Sequence, residues 1–149
     1  LATVFFLTMG ERDTYGATQL TVDGEGDFYE NLQDALDTNR YSSDEPLVVT
    51  VKPGSYSVEQ NIRIYPNTTI SMYGATIVNE NTGNASMLRL RRAAEWDSYP
   101  GYTGGSDISI LGGTLDGNGY EGALIRLGHA SGITLRDVTF TNVKTIDNA

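Results

Sequence analysis

Three short segments of one form punctuate the chain: Ile62-Arg63-Ile64, Leu88-Arg89-Leu90 and Ile125-Arg126-Leu127. Each holds an arginine between two apolar residues. Arg91 and Arg92 follow the second. Five of the ten Lys and Arg residues, in a chain of net charge −9, thus fall in or beside one kind of segment. A guanidinium is a planar fork of donors that grips a carboxylate through two hydrogen bonds. If the segments stack as strands, their arginines stand about 4.8 Å apart. A polymer of sugar acids repeats on a similar length, so the chemistry offered is the gripping of an acidic polysaccharide. The opposing reading is a solvated row balanced by nearby acids, since exposed ion pairs contribute little.

Trp96, Tyr99 and Tyr102 lie between the second and third segments. Aromatic faces stack on sugar rings; equally, they pack a loop onto the body beneath it. Arg63, Arg89, Arg126, Arg91, Trp96, Tyr99 and Tyr102 are therefore the candidate binding residues. No catalytic residue is assigned. His129 is the only histidine and sits in Gly128-His129-Ala130. It could serve as a general base, but a lone histidine in such a turn reads first as structural. Asp116 and Asp137 are the carboxylates to consider as a pair. Their places in the pattern differ, and Asp137 occupies the turn slot of Gly112 and Gly74, which favours a turn role.

Asp23-Gly24-Glu25-Gly26-Asp27 alternates acids like a calcium loop. It lacks the later bidentate glutamate, and Asp27 has a competing use as a helix cap. Calcium is a weak expectation, and no other metal or cofactor is expected. Asn67-Thr68-Thr69 and Asn84-Ala85-Ser86 match glycosylation sequons, which matter only in a eukaryotic secretory setting.

The 149 residues amount to one domain, 39% apolar and 19% charged. With no cysteine there is no disulfide, thiol nucleophile or cysteine-ligated metal. The acidity argues against nucleic acid as a partner. No run of 18 apolar residues marks a membrane span. Leu1 to Leu7 is apolar without a basic leader and does not read as a signal peptide.

What must position the arginines is a repeat. Ile108-Ser109-Ile110-Leu111-Gly112-Gly113-Thr114-Leu115 recurs 25 residues later as Ile133 to Phe140, and 38 residues earlier as Ile70 to Ile77. A weaker copy, Val49 to Tyr56, lies 21 residues before that. The first and third arginine triplets each begin 8 residues before a copy and the second begins 20 before, which places a 12-residue insertion within the stretch of about 91–106. Alternation within each segment makes it a strand with two residues inward and one outward. Several short strands per period of about 25 fit stacked parallel coils, an all-β right-handed parallel β-helix.

Residues 1–46 are expected to hold the N-terminal strands (Val4 to Leu7 and Leu20 to Val22) and a capping helix at about 28–38. Asp27 is its N-cap, with Glu30 reaching back, and Asn39 its stop. Phe28, Leu32, Ala35 and Leu36 share one face, while Asn31 and Gln33 are expected to face solvent. The helix covers the open end of the stack. Residues 47–149 form the first three to four coils, incomplete at the C-terminal end.

Asn31-Leu32-Gln33-Asp34-Ala35-Leu36-Asp37 followed by Val49-Thr50-Val51-Lys52-Pro53-Gly54-Ser55-Tyr56 resembles the opening of pectate-lyase-superfamily β-helix proteins. Ile108 to Gly119, with Gly113-Thr114-Leu115-Asp116-Gly117, is similar to a stretch of the polygalacturonase-type hydrolases. The resemblance covers residues 20 to 149. It implies a β-helix whose arginine-bearing strand lines a cleft for an acidic polysaccharide, in a bacterial protein working outside the cell or on its surface. Lyase, hydrolase and epimerase activities occur in that superfamily, as do non-catalytic surface proteins and phage spikes. The family's catalytic signatures, paired aspartates, Gly-His-Gly and Arg-x-Lys, do not carry over to these residues. A stack open at its last coil also exposes apolar residues and strand edges, so self-association through residues 131 to 143 is expected.

Overall fold

The computed structural model describes residues 16–40, 45–83, 86–90 and 105–144. The chain is mostly β. Its elements run β1 (Thr18–Val22), α1 (Phe28–Asp37), β2 (Leu47–Val51), β3 (Gly54–Val58), β4 (Ile62–Ile64), β5 (Thr68–Ser71), β6 (Ala75–Asn79), β7 (Leu88–Leu90), β8 (Ile108–Leu111), β9 (Thr114–Asp116), β10 (Ile125–Arg126), β11 (Ile133–Arg136) and β12 (Thr139–Thr141). They form three sheets, ordered β1-β2-β5-β8-β11, β3-β6-β9-β12 and β4-β7-β10. Every pairing is parallel. From β2 onward the chain visits the first, second and third sheet in turn, and then begins again.

Alternation explains the core. Leu47, Val49 and Val51 on β2 are buried while Thr50 is exposed. Thr68 and Ile70 follow on β5, and Ile108 and Ile110 on β8. One cluster joins the apolar ones among these to Ile77 and Leu115 of the second sheet, Ile62, Ile64, Leu88 and Leu90 of the third, and Phe28, Leu32, Ala35 and Leu36 of α1. The corner before β5, β8 and β11 is left-handed: Asn67 (φ 56°), Asp107 (φ 58°) and Gly132 (φ 62°) occupy it on successive circuits. Asn, Asp and Gly tolerate that conformation best. Their carbonyls accept from Leu47 N (2.9 Å), Thr68 N (3.1 Å) and Ile108 N (3.2 Å) one circuit back.

α1 forms where expected and ends at Asp37. The Asp27 carboxylate accepts from Glu30 N at 3.0 Å. β1 begins two residues before the expected Leu20. Val4 to Leu7 lies outside the described residues.

Two expectations need correction. Gln33 does not face solvent; it is 4% exposed. Its side-chain amide donates to Arg63 O at 3.1 Å and accepts from Arg63 N at 2.8 Å. β4 is an edge strand, and this amide satisfies backbone groups that no strand pairs. Asn31 is only half-buried and donates to Glu25 O at 2.7 Å. The second correction concerns register. Ile70 pairs with Ile110, not with Ile108, which lies opposite Thr68. The 38-residue offset holds in the second sheet, where Ile77 pairs with Leu115. Four residues, Met72 to Ala75, separate the paired positions Ser71 and Thr76, whereas only Gly112 and Gly113 separate their partners Leu111 and Thr114, so the two offsets differ by two. A slip of two keeps the same residues inward, so hydrophobic pattern alone does not detect it.

Of the expected insertion at about 91–106, residues 91–104 lie outside the described residues. Gly105 is buried and bridges in parallel with Ala130, so it belongs to the packed corner.

Candidate functional site

The third sheet carries the arginines. Arg63 pairs with Arg89, and Arg89 with Arg126, in one register. Arg63 and Arg89 point away from the core, because their neighbours Ile62 and Ile64 on β4, and Leu88 and Leu90 on β7, are buried; the neighbours of Arg126, Ile125 and Leu127, are partly buried against the same core. Arg63 and Arg89 are half-buried and Arg126 is exposed. Burial lowers the Arg89 pKa from its ordinary value, and the charges of Arg126 and Arg63 lower it further. Three like charges on adjacent strands repel one another.

α1 sets one end of this row. Gln33 holds the Arg63 backbone and also donates to Asp37 Oδ1 at 2.7 Å. Arg63 Nε is buried and has no hydrogen-bond acceptor among the described residues. Tyr65, two residues on, is fully buried. Burial raises the pKa of its hydroxyl, and the Asp37 charge adds to the effect against smaller opposing contributions from Arg40 and Arg63. Arg91, Trp96, Tyr99 and Tyr102 lie outside the described residues.

The remaining candidates resolve into turns. Asp116 Oδ1 accepts from Asn118 N at 2.8 Å and from Asn142 Nδ2 at 2.9 Å. Asp137 has φ 57° and accepts from the Tyr73 hydroxyl at 3.0 Å. It follows β11 as Gly112 follows β8, whereas Gly74 falls within the longer turn. His129, at φ 61°, is exposed in the turn from β10 to β11. Asn67 is the corner residue described above, and Asn84 lies outside the described residues.

In the acidic loop, Asp23 accepts from Glu25 N at 3.1 Å and from Lys52 Nζ at 3.1 Å. These contacts lower its pKa, the backbone bond most. With Asp27 engaged as the N-cap, the alternating acids serve the turn. Among the described residues no group of three or more His, Cys, Asp or Glu is placed to hold a metal.

One further feature carries no spacing signal in the sequence. A cleft of about 330 Å³ opens between the start of α1 and the turn from β3 to β4. Asp27, Phe28 and Tyr29 line one side, and Ser57, Glu59 and Gln60 the other. Its two halves lie about thirty residues apart in the chain, and only the packing of α1 beside β3 and β4 brings them together.

No protein-family model matches this chain, no curated protein matches it, and no solved structure matches it.

Proposed function

We propose that the three-sheet stack is a right-handed parallel β-helix of the pectate-lyase type, and that its arginine row binds an acidic polysaccharide, a uronate polymer, outside a bacterial cell or on its surface. One observation carries the reading: Arg63, Arg89 and Arg126 occupy a single register across β4, β7 and β10. Spacing of about 4.8 Å between adjacent strands matches closely spaced carboxylates better than isolated ones. In a chain of net charge −9, an anion is held only where cations are gathered. The repeating circuit and the resemblance of the 31–37 and 49–56 segments support the fold. No helix among the described residues is long and apolar enough to cross a membrane.

Binding is the activity these residues support. The alternative class is a lyase, hydrolase or epimerase, in which the same row would hold substrate for chemistry performed elsewhere. Within the described residues Asp116 and Asp137 are committed to turns, which favours a binding module, whether a glycan-holding surface protein or a structural spike.

The test is a panel of acidic and neutral polysaccharides, offered to wild type and to Arg63→Ala/Arg89→Ala/Arg126→Ala at low and high salt. The expected result is salt-sensitive binding to uronates that the triple variant loses. Binding unchanged in the variant sinks the reading. Release of unsaturated or reducing ends from a bound polymer moves the protein to the enzyme class.

A further inference from the structure

We infer that the cleft between α1 and the β3–β4 turn is a second binding site, and that its ligand is an uncharged sugar unit. The volume of about 330 Å³ lies at the small end of the range for small-molecule sites, about 300–1,000 Å³. Its lining selects the ligand class. Asp27 and Glu59 contribute carboxylates, Ser57 a hydroxyl and Gln60 an amide, and among the described residues no Lys or Arg lines the cleft. Two carboxylates without a cation repel a uronate, so this site and the arginine row take different ligands. Carboxylate and amide oxygens accept from adjacent hydroxyls, and the Gln60 amide and Ser57 hydroxyl donate back. That mixture suits a polyhydroxylated ring.

The aromatic wall is held in place. Phe28 stacks on Tyr56 with ring centroids 4.1 Å apart and planes 8° from parallel. The Tyr56 hydroxyl donates to Lys52 O at 2.9 Å, and the Tyr29 hydroxyl to Asn61 O at 3.2 Å. Both contacts tie the aromatic side of the cleft to the turns around it. Phe28 is buried behind the lining, so half-buried Tyr29 is the aromatic side chain there that can meet the apolar side of a sugar, with Ser57, Glu59 and Gln60 for its hydroxyls. The helix terminus itself is not the site, because Asp27 already accepts from Glu30 N.

The inference stands apart from the arginine row, and its test keeps the two apart. Backbone amide NMR shifts of the full chain are followed during titration with methyl glycosides of neutral hexoses and pentoses at millimolar concentration, with methyl glucuronide and calcium chloride as comparison probes. Saturable shifts at Tyr29, Ser57, Glu59 and Gln60 with at least one neutral glycoside are expected. Gln60→Ala, which removes a hydrogen bond, and Glu59→Gln, which keeps an acceptor but removes its charge, should each weaken the affinity up to about tenfold. Both side chains are exposed, so both variants keep the fold. Arg63→Ala/Arg89→Ala/Arg126→Ala should leave this titration unchanged. No neutral glycoside moving these amides overturns the inference. So does a response to calcium or glucuronide alone.

Discussion

The side-chain amide of Gln33 pairs with both backbone groups of Arg63, at 3.1 Å from Nε2 to the carbonyl and 2.8 Å from the amide nitrogen to Oε1. A glutamine on the capping helix thus stands in for a missing strand beside β4. Gln33→Leu fills the same volume and leaves both groups of a half-buried strand without partners. Its cost should be about 1–3 kcal/mol in urea unfolding, read as a lower midpoint at unchanged slope. Gln33→Glu keeps an acceptor, loses the donor and places a second carboxylate against Asp37. Its cost should grow as pH rises through the carboxylate range near about 4. A Gln33→Leu midpoint equal to wild type would show that the amide pairing contributes nothing.

Tyr73 and Gly112 are locked together in a different way. The Tyr73 ring lies over Gly112, and its hydroxyl reaches on to Asp137. A Cβ at Gly112 would run into that ring, and φ 70° disfavours any L side chain there. Gly112→Ala should therefore cost about 2–3 kcal/mol, of which about 1–2 is backbone strain. Tyr73→Ala in the same chain should recover the steric part and leave the strain. A thermodynamic cycle with no coupling between the two substitutions would contradict this contact.

Like charges in register predict an effect of salt. Arg89 lies between Arg63 and Arg126, and their charges and its burial lower its pKa. Arg89→Gln should stabilise the protein by about 0.2–1 kcal/mol at low ionic strength. The gain should fade near about 1 M salt, where charges are screened within about 3 Å. Destabilisation that persists at both ionic strengths would mean that other contacts of Arg89 outweigh the repulsion.

Much of this arrangement was legible in the residues, and the reasons differ by element. The triplets announced the arginine row because an outward residue between two inward ones is a pattern of period two. Phe28, Leu32, Ala35 and Leu36 announced α1 through helical spacing, and Asp27 announced its start. Gln33 was misread because a polar residue on a capping helix looks solvated until the edge strand it serves is known. The register of Ile70 was misread because a shift of two preserves inward and outward faces. The cleft of Asp27, Tyr29, Ser57, Glu59 and Gln60 was not legible at all, since no periodicity links residues brought together by packing alone.

Tyr65 predicts alkaline behaviour. Its hydroxyl is buried without a hydrogen-bond partner in good geometry among the described residues, and burial, with the nearby Asp37 carboxylate, raises its pKa. The folded value lies above the unfolded one of about 10, so the unfolded chain loses its proton first. The associated stability is fully present below about pH 10 and is lost as pH rises toward the folded value. Tyr65→Phe removes the titrating group. It should leave stability at pH 7 unchanged or raise it by up to about 1 kcal/mol. Its alkaline unfolding should begin at higher pH than that of wild type. Coincident alkaline transitions for the two proteins would show that Tyr65 ionises without strain in the fold.

The circuit of β11 and β12 breaks the burial pattern of those before it. Ile110 and Leu115 are fully buried, yet their partners one register step on, Leu135 and Phe140, are 46% and 45% exposed. Among the described residues no strand pairs with the outer side of β11 or β12. Apolar side chains next to unpaired backbone groups form a template for another chain. The apparent mass of the protein in light scattering should therefore rise with concentration. A charge on the exposed face blunts such an edge, so Leu135→Lys/Phe140→Lys should lower that rise. The substitutions fall where burial is incomplete, so the double variant should keep its circular dichroism spectrum and thermal midpoint. A wild-type protein that stays a monodisperse monomer at high concentration would show that this face does not self-associate. A variant that associates as strongly as wild type would place the contact elsewhere on the surface.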